Sequence, residues 1–178
     1  FSKTSNPSDG WWIYSLNSNS GGHSSLWFDY PTIGYTEEDL VVGGNMYTNG
    51  AGGTYSGARV VMMNLDDGFN GNSLSNGHFE LDTDDSYRMH PCSYPFGTYG
   101  PGAYLLKRNG SDELGLWDIT DNLSGSPTLD VYSFSTEEID LPVNAPQGSS
   151  GILDVSWPIQ SVFYAGGGVI YFTFTGAN

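Results

Sequence analysis

Residues 29–42 have the sequence DYPTIGYTEEDLVV, and this stretch decides the fold. An aromatic–proline pair at 30–31 is followed by IGY at 33–35 and, after four mostly polar residues, by LVV at 40–42. Two short segments of this kind, separated by a polar stretch, predict two strands joined by a tight turn. The stretch therefore predicts a β-hairpin.

The same pattern occurs again near the end of the chain and once, more weakly, in between. WP at 157–158 precedes VFY at 162–164 and VIY at 169–171, and YPFG occupies 94–97. The copies align at residues 33, 97 and 162, which are steps of 64 and 65 residues. A repeat of this length predicts stacked supersecondary units, because one such unit cannot bury its apolar face alone.

Short β-type segments fill the rest of the chain, and no long helical pattern interrupts them. Clusters of Gly, Asn, Asp, Ser and Pro separate these segments, as is typical of turns between strands. The predicted strands cover residues 11–16, 40–47, 58–65, 103–107, 114–119, 129–134, 160–164 and 169–174. Three to four strands in each repeat predict an all-β propeller of about three blades of antiparallel strands, with a β-sandwich as the alternative.

The repeats divide the chain into blades of one propeller segment over residues 1–178. The predicted blades are about 11–26 (partial), 27–89, 90–142 and 143–178 (partial). Closed rings contain about four to eight blades, so this would be an incomplete ring with exposed edges. We therefore expect further blades as partners, from a longer parent chain or from another subunit.

Composition and charge narrow the classes of partner. The chain has 20 Asp and Glu against 5 Lys and Arg, a formal net charge of −15, which opposes binding to nucleic acid. No apolar stretch is long enough to span a membrane. Aromatic residues make up 15% of the chain and predict an ordered β-rich fold. The Ser, Asn, Thr and Gly residues expected on the surface are familiar in secreted proteins, and a chain that begins at Phe1 predicts a processed product or a piece of a longer protein. We therefore expect a protein that is secreted or lies at the cell surface.

Several motifs resemble one family. Residues 29–35 and 41–46 resemble the D-x-P-x-x-G … N-M/F signature of secreted bacterial β-propeller exoproteins, whose propellers are sialidase-like or integrin-like. Further similar blocks, in the same order, are LWDIT at 116–120, SGSPTL at 124–129, APQGS at 145–149, ILD at 152–154 and SVFY at 161–164. The resemblance covers roughly residues 27 to 175 and implies a propeller fold, often without an assigned activity. The last hairpin departs from the family by having GVIYF at 168–172.

Two acidic stretches are candidate calcium sites. The first lies in NLDDGFNGN at 64–72 and offers Asp66, Asp67 and Asn70, while the second offers Asp82, Asp84 and Asp85. Calcium takes six to eight oxygen ligands, which flexible acidic loops with glycine supply. Neither stretch has the EF-hand spacing. Solvated turns are the structural alternative for both.

Other polar and reactive residues have structural interpretations. Asp29 and Asn45 are the polar residues of the first motif, and we expect them to satisfy backbone groups at a turn and at a strand irregularity. Cys92 is the only cysteine, so it forms no internal disulfide, and we expect a small buried residue there.

Three functional classes remain open. The leading prediction is a non-catalytic extracellular scaffold or binding module that presents loops to a protein or a glycan. A sialidase-type glycoside hydrolase is the enzyme alternative, and its arginine triad would need all three arginines, Arg59, Arg88 and Arg108, in one pocket. A structural subunit of an extracellular assembly is the third class.

Aromatic side chains are the candidate ligand platforms of the binding-module class. Most are expected to pack in the core or between blades, but some would form sugar-stacking surfaces on a polar rim. The candidates are Trp11, Trp12, Trp27, Phe28, Tyr94, Tyr99, Tyr132 and Tyr164.

Overall fold

The structure, a computed structural model, confirms the all-β class. It describes residues 1–17, 25–49, 53–81, 88–95, 100–109, 112–137, 145–146, 152–153 and 159–174. The strands are β1 (Leu26–Tyr35), β2 (Asp39–Thr48), β3 (Tyr55–Asn64), β4 (Asn76–Leu81), β5 (His90–Pro91), β6 (Ala103–Asn109), β7 (Glu113–Ile119), β8 (Leu129–Ser135), β9 (Ala145–Pro146), β10 (Ile152–Leu153), β11 (Ser161–Tyr164) and β12 (Ile170–Thr173). A 3-10 turn at Pro7–Asp9 and the helix α1 (Leu65–Asn70) complete the described elements, and neither is long enough to cross a bilayer.

The strands form antiparallel sheets that follow chain order. The first sheet has the order β1-β2-β3-β4, and the second sheet has the order β5-β6-β7-β8. The third sheet is the hairpin β11-β12, and β9 pairs with β10 in a separate small hairpin. No sheet in the described part of the chain closes on itself, so these strands alone do not confirm a propeller.

A bulge in β1 accommodates the proline of the first motif. The pairing of β1 with β2 shifts between Asp29 and Thr32, and Tyr30 has a φ of 53°. Pro31 has no backbone N–H to donate to a ladder, so it is tolerated where regular pairing is interrupted. Pairing resumes at Thr32 and continues to Tyr35 opposite Leu40, as the hairpin pattern predicts.

A buried threonine closes the turn between β1 and β2. The hydroxyl of Thr36 accepts hydrogen bonds from the backbone N–H groups of Glu38 (3.3 Å) and Asp39 (3.0 Å). The backbone N–H of Thr36 donates to the carbonyl of Asp39 at 2.8 Å. These bonds satisfy the turn locally and fix the register of the hairpin.

The segment after β3 forms a short helix that the sequence did not predict. Asn64 caps α1 by accepting from the N–H of Asp67 at 3.0 Å, and Gly71 ends it in the left-handed conformation with a φ of 72°. These are favoured residues at the two ends of a helix. Six residues are too few to show a periodic apolar pattern, and for that reason the helix was missed.

The prediction of a strand at residues 11–16 was wrong. Trp11 makes only an isolated bridge with Ser2, and residues 12–17 are in no strand. Instead, the segment packs on α1: the rings of Phe1 and Phe69 meet edge to face at 5.2 Å, and the Tyr14 hydroxyl donates to the carbonyl of Asp67 at 3.1 Å. Backbone hydrogen bonds between Phe1 and Trp12 (2.8 and 2.9 Å) and these side-chain contacts hold the segment in place.

The first and second sheets pack face to face. The first sheet contributes Val41, Val60 and Met62 to this core, and the second sheet contributes Leu105 and Trp117. All five are at most 2% exposed. Full burial of side chains of this size contributes about 1.5–3 kcal/mol each, so this interface is a main source of stability.

The other face of the second sheet is covered as well. Leu106 of β6 is buried in a second cluster with Cys92, Ile159 and Val162, and Leu116 of β7 packs against it. Consecutive residues of β6 are therefore buried on opposite sides of one sheet. The second sheet is a central layer between the first and third sheets.

The first strands of the three sheets lie side by side. Ser93 bridges in parallel to both Tyr35 and Phe163. The N–H of Tyr94 donates to the carbonyl of Tyr35 at 2.9 Å, and the N–H of Tyr164 donates to the carbonyl of Ser93 at 3.0 Å. Tyr35, Tyr94 and Tyr164 each lie in a copy of the predicted repeat, but Tyr94 occupies a different place in its copy than the other two. Residue 97 of the middle copy lies outside the described residues, so the repeat stays a prediction.

A glycine allows this close approach. A Cβ at Gly34 would lie 2.4 Å from the Cys92 carbonyl oxygen and 2.7 Å from the Pro91 carbonyl oxygen. Both contacts are backbone atoms, which do not move aside as a flexible side chain would. Only glycine fits between β1 and the start of the second sheet.

We expect Gly34→Ala to destabilise the protein. The added methyl group must push β1 away from residues 91–92, and overpacking of this kind costs about 1–3 kcal/mol. Chemical denaturation monitored by tryptophan fluorescence would measure the change in the free energy of unfolding. Gly43→Ala on β2 is the matched control, since its Cβ would find its nearest neighbour at 3.4 Å; equal losses in the two variants would contradict the prediction.

Candidate functional site

The first predicted calcium loop is folded into α1. Asp66 is exposed, and its backbone carbonyl accepts from the Asn70 side-chain amide at 2.8 Å. The carboxylate of Asp67 accepts from the N–H of Ser75 at 3.0 Å. Hydrogen bonds from Ser75 lower the pKa of Asp67, so this carboxylate already has a structural role, in which it ties the first turn of the helix to the segment before β4.

The second calcium candidate, Asp82 with Asp84 and Asp85, lies outside the described residues. Within the described ranges, no three His, Cys, Asp or Glu side chains converge in a way that could hold a metal ion. Calcium binding stays a prediction, which titration of the protein with Ca²⁺ by calorimetry would test directly.

The arginines lie on different layers of the structure. Arg59 on β3 is 1% exposed, pairs with Glu80 of β4 and faces away from the second sheet. Arg108 on β6 lies on the side of the second sheet that meets the third, with its guanidinium 5.5 Å from the ring centre of Phe174. Two sheets and the core between them separate Arg59 from Arg108.

Arg88 takes a third position. Its guanidinium lies 5.4 Å from the ring centre of Tyr30, and its backbone N–H donates to the side chain of Asn45 at 3.0 Å. A sialidase-type triad needs three guanidinium groups around one carboxylate. Since Arg59 and Arg108 lie on opposite sides of two packed sheets, the three arginines do not form such a triad.

Asn45 has the structural role expected from the sequence. It is buried opposite Asp29, next to the irregularity in the pairing of β2 with β3, and it accepts the Arg88 N–H just before the second sheet begins. The amide therefore ties the first sheet to the connection that follows it. The strained residue it holds, Arg88, has a φ of 61°.

Two acidic side chains clasp the first sheet to a loop of the second. The carboxylate of Asp39 accepts from the N–H of Leu123 at 2.8 Å, and Glu38 accepts from the side-chain amide of Asn122. Asp39 is fully buried, and its second oxygen has no hydrogen-bond partner. Burial raises the pKa of Asp39, and the nearby Glu38 and Asp121 carboxylates raise it further, against the lowering effect of the Leu123 hydrogen bond.

A row of aromatic side chains crosses the first sheet at the end where β1 begins. Trp27 of β1 pairs with Tyr47 of β2, which pairs with Tyr55 of β3. Ring centres are 5.7 Å apart in both contacts, with planes inclined by 32° for Trp27–Tyr47 and by 65° for Tyr47–Tyr55. Trp27 is 41% exposed. We call these three residues the aromatic row.

The sequence identified only one member of the aromatic row. Trp27 was a predicted stacking residue, whereas Tyr47 and Tyr55 were not singled out. The three are distant in sequence and become neighbours only through strand register, and the predicted hairpin strand at 32–35 does not extend to Trp27. A bulge between Asn45 and Tyr47 shifts the β2–β3 pairing and brings Tyr55 opposite Tyr47.

The other predicted stacking residues divide between core and surface. Tyr94 is buried, and Phe28 and Tyr164 are half-buried, so these three pack as structural residues. Trp11, Trp12 and Tyr132 are exposed, while Tyr99 lies outside the described residues. None of the three exposed residues belongs to a row of aromatic rings comparable to that of Trp27.

A cleft of about 410 Å³ lies between the N-terminal segment and the first sheet. Its wall on the sheet is formed by Val42, Val61, Met63, Arg59 and His78, and residues 15–17 form the opposite wall. The Arg59–Glu80 ion pair lies beside it, and the Glu80 oxygen is also 3.5 Å from the imidazole of His78. The cleft occupies the face of the first sheet that points away from the second.

No known protein family, no curated protein and no solved structure matches this chain. The resemblance to secreted propeller exoproteins therefore stays a prediction.

The buried carboxylate of Asp39 predicts a specific pH dependence. Its pKa in the folded state lies above the unfolded value of about 3.9, so the folded protein binds more protons between these two values. The contribution of Asp39 to the free energy of unfolding therefore falls as the pH rises through this window, by about 1.4 kcal/mol for each unit of pKa increase.

We expect the stability of Asp39→Asn to fall less than that of the wild type as the pH rises from about 3.9, the unfolded value, through the raised pKa of Asp39. The asparagine oxygen can still accept the Leu123 N–H, but it does not titrate. Denaturant unfolding across this pH range would give the difference curve. Asp112→Asn, at an exposed position, controls for the loss of one negative charge, and identical curves for Asp39→Asn and the wild type would contradict the prediction.

Proposed function

We propose that this chain forms three consecutive blades of an incomplete β-propeller that acts as a non-catalytic extracellular scaffold and binding module. The observation that carries the proposal is the junction at Ser93, where the first strands of three successive sheets lie in parallel. In a propeller, each blade is an antiparallel meander, and blades are arranged radially around a central axis. Two four-strand meanders and a hairpin in chain order fit this arrangement.

The layering favours blades over a two-sheet sandwich. A sandwich has one core between the inner faces of two sheets. Here the second sheet buries Leu105 on one side and Leu106 on the other, against different neighbours. A central layer covered on both faces is what a blade between two other blades requires.

The outer faces of the end layers support the proposal that further blades are partners. Ile33, on the face of the first sheet away from the core, is 64% exposed, and Tyr171 on the outer side of the third sheet is 53% exposed. Ile33 lies on β1, a junction strand, and Tyr171 lies on β12 opposite Phe163, so a neighbouring blade would pack on both. The occupant would be another blade of a longer parent chain or of a second subunit.

Composition supports an extracellular setting for this module. The net charge of −15 disfavours nucleic acid, and the neutral polar residues in the turns suit a secreted or cell-surface protein. The scattered arginines give the hydrolase alternative no triad. A structural subunit of an extracellular assembly remains compatible with exposed end faces, and it differs from a binding module in forming regular particles.

We expect the isolated chain to associate in solution, because exposed apolar side chains on the end layers, such as Ile33 and Tyr171, promote contact. Light scattering after size-exclusion chromatography would show particles heavier than the 19.2 kDa chain, more so in about 0.5 M salt, which screens the repulsion between acidic copies. Electron microscopy of the same fractions would separate regular assemblies from small oligomers.

Two substitutions would locate the associating surface. Ile33→Glu places a charge on an end face and should shift the protein towards monomer. Val131→Glu is the matched control, since Val131 is 53% exposed on the outermost strand of the second sheet. A stable, non-associating monomer of the wild type would overturn the proposal of missing blades.

A further inference from the structure

We propose that the second sheet, on the side that faces the third sheet, carries a docking site for an extended strand of another protein. This strand pairs with the outer edge of β12, places apolar side chains at alternate positions on β7 and β8, and carries a lysine or arginine beyond them. The inference rests on the proposed binding-module function and names the partner and the surface.

The cover that the third sheet provides ends over the middle of the second sheet. Leu105 and Leu106 of β6 are both buried, so β6 is covered on both faces. On β7, Trp117 is buried against the first sheet, whereas Leu116 on the opposite face is only half-buried. The first sheet has four strands, but within the described ranges the third sheet has only β11 and β12. The second sheet therefore loses its cover from β7 outward, on this side.

The uncovered surface is continuous with the core between the second and third sheets. Leu114 and Leu116 of β7 pack against the buried cluster that these two sheets share. Their partners one strand further out, Phe134 and Tyr132 of β8, are 50% and 46% exposed. Apolar side chains on two adjacent strands form a contiguous patch, which is typical of a protein–protein contact. We call these four residues the open face.

The outer edge of β12 lies next to the open face. Ile170 and Phe172 of β12 are half-buried and pack against the same cluster as Leu114 and Leu116. In the part of the chain that the structure describes, β12 pairs only with β11. An edge strand presents backbone N–H and C=O groups to a further strand. A strand added there continues the third sheet over β7, so backbone hydrogen bonds and apolar contacts act together.

The register of the open face sets the pattern of the partner. Leu114 and Leu116 are two residues apart on one strand, which corresponds to about 6.6 Å. Side chains at alternate positions of the partner strand have the same spacing and point to the same side. The partner therefore has two apolar residues, such as valine or isoleucine, separated by one polar residue that points away from the second sheet.

A pair of carboxylates sets the charge of the partner. Asp118 follows Leu116 on the same face of β7, and Asp130 of β8 lies directly opposite it. Like charges in opposite positions are unfavourable. Burial raises the pKa of Asp118, and the Asp130 carboxylate raises it further. A lysine or arginine two residues beyond the second apolar residue of the partner would lie beside both carboxylates and relieve this repulsion.

The net charge of −15 also favours a basic partner over a second copy of this chain. Two copies repel each other, whereas a basic strand is attracted before it makes contact. Charge and spacing together therefore point to a basic, alternating strand of a different protein.

The test is selection of a displayed library of random ten-residue peptides against the purified chain, followed by fluorescence anisotropy with the selected peptides. We expect these peptides to share two apolar residues and a lysine or arginine at alternate positions. Phe134→Ala and Tyr132→Ala should each weaken binding at least about fivefold, as expected for exposed aromatic contacts. Asp130→Asn should weaken binding and reduce its dependence on salt.

Val131→Ala is the matched control, because Val131 is 53% exposed on the same strand but points to the opposite face. Its binding should equal that of the wild type. Methylation of alternate backbone nitrogens of the peptide, on the side that pairs with β12, should abolish binding and leaves the protein unchanged. Absence of selected peptides, peptides without the expected pattern, equal loss in Val131→Ala, or binding that survives methylation of either set of nitrogens would each overturn the inference.

Two further outcomes separate this inference from the proposals next to it. Self-association that Phe134→Ala abolishes, without selection of any peptide, would assign the open face to a second copy and overturn the inference. A wild-type chain that stays monomeric but binds the peptide would contradict the missing blades and leave the docking site standing. A chain that associates through Ile33 but selects no peptide would do the reverse.

Discussion

The hydrogen-bonded junction around Ser93 is the constraint on which the rest of the structure depends. Ser93 connects Tyr35 of the first sheet with Phe163 of the third, so three sheets are anchored at one line of backbone contacts. Gly34 makes this possible, since any side chain there would collide with backbone carbonyls at 91–92. With the first strands fixed side by side, the other strands of each sheet extend away from the junction, and the sheets pack face to face.

Packing and polar contacts further out follow from this arrangement. The second sheet becomes a central layer, and for that reason Leu105 and Leu106 are both buried although they are adjacent in sequence. Asp39 is buried because it clasps the first sheet to the loop at Leu123, and one of its oxygens has no partner. Burial of this carboxylate is unfavourable, but its hydrogen bond to Leu123 fixes the contact between the first and second sheets.

Much of the fold was predictable, and the site was not. The motif at residues 33–42 predicted its hairpin, because backbone spacing and apolar patterning are local properties. The helix α1 and the N-terminal segment were missed, since capping by Asn64 and packing of Phe1 depend on contacts that no periodic pattern records. The aromatic row was found only in part, because Tyr55 reaches Tyr47 through a bulge whose register is set by the whole sheet.

The burial of Cys92 has a practical consequence. Its thiol is fully enclosed in the cluster beside the junction, and burial raises the pKa of Cys92 to about 12, so almost no thiolate exists at neutral pH while the protein is closed. An alkylating reagent can reach this sulfur only when the strands around it separate. The rate of thiol modification therefore measures how often the strands around Cys92 open locally.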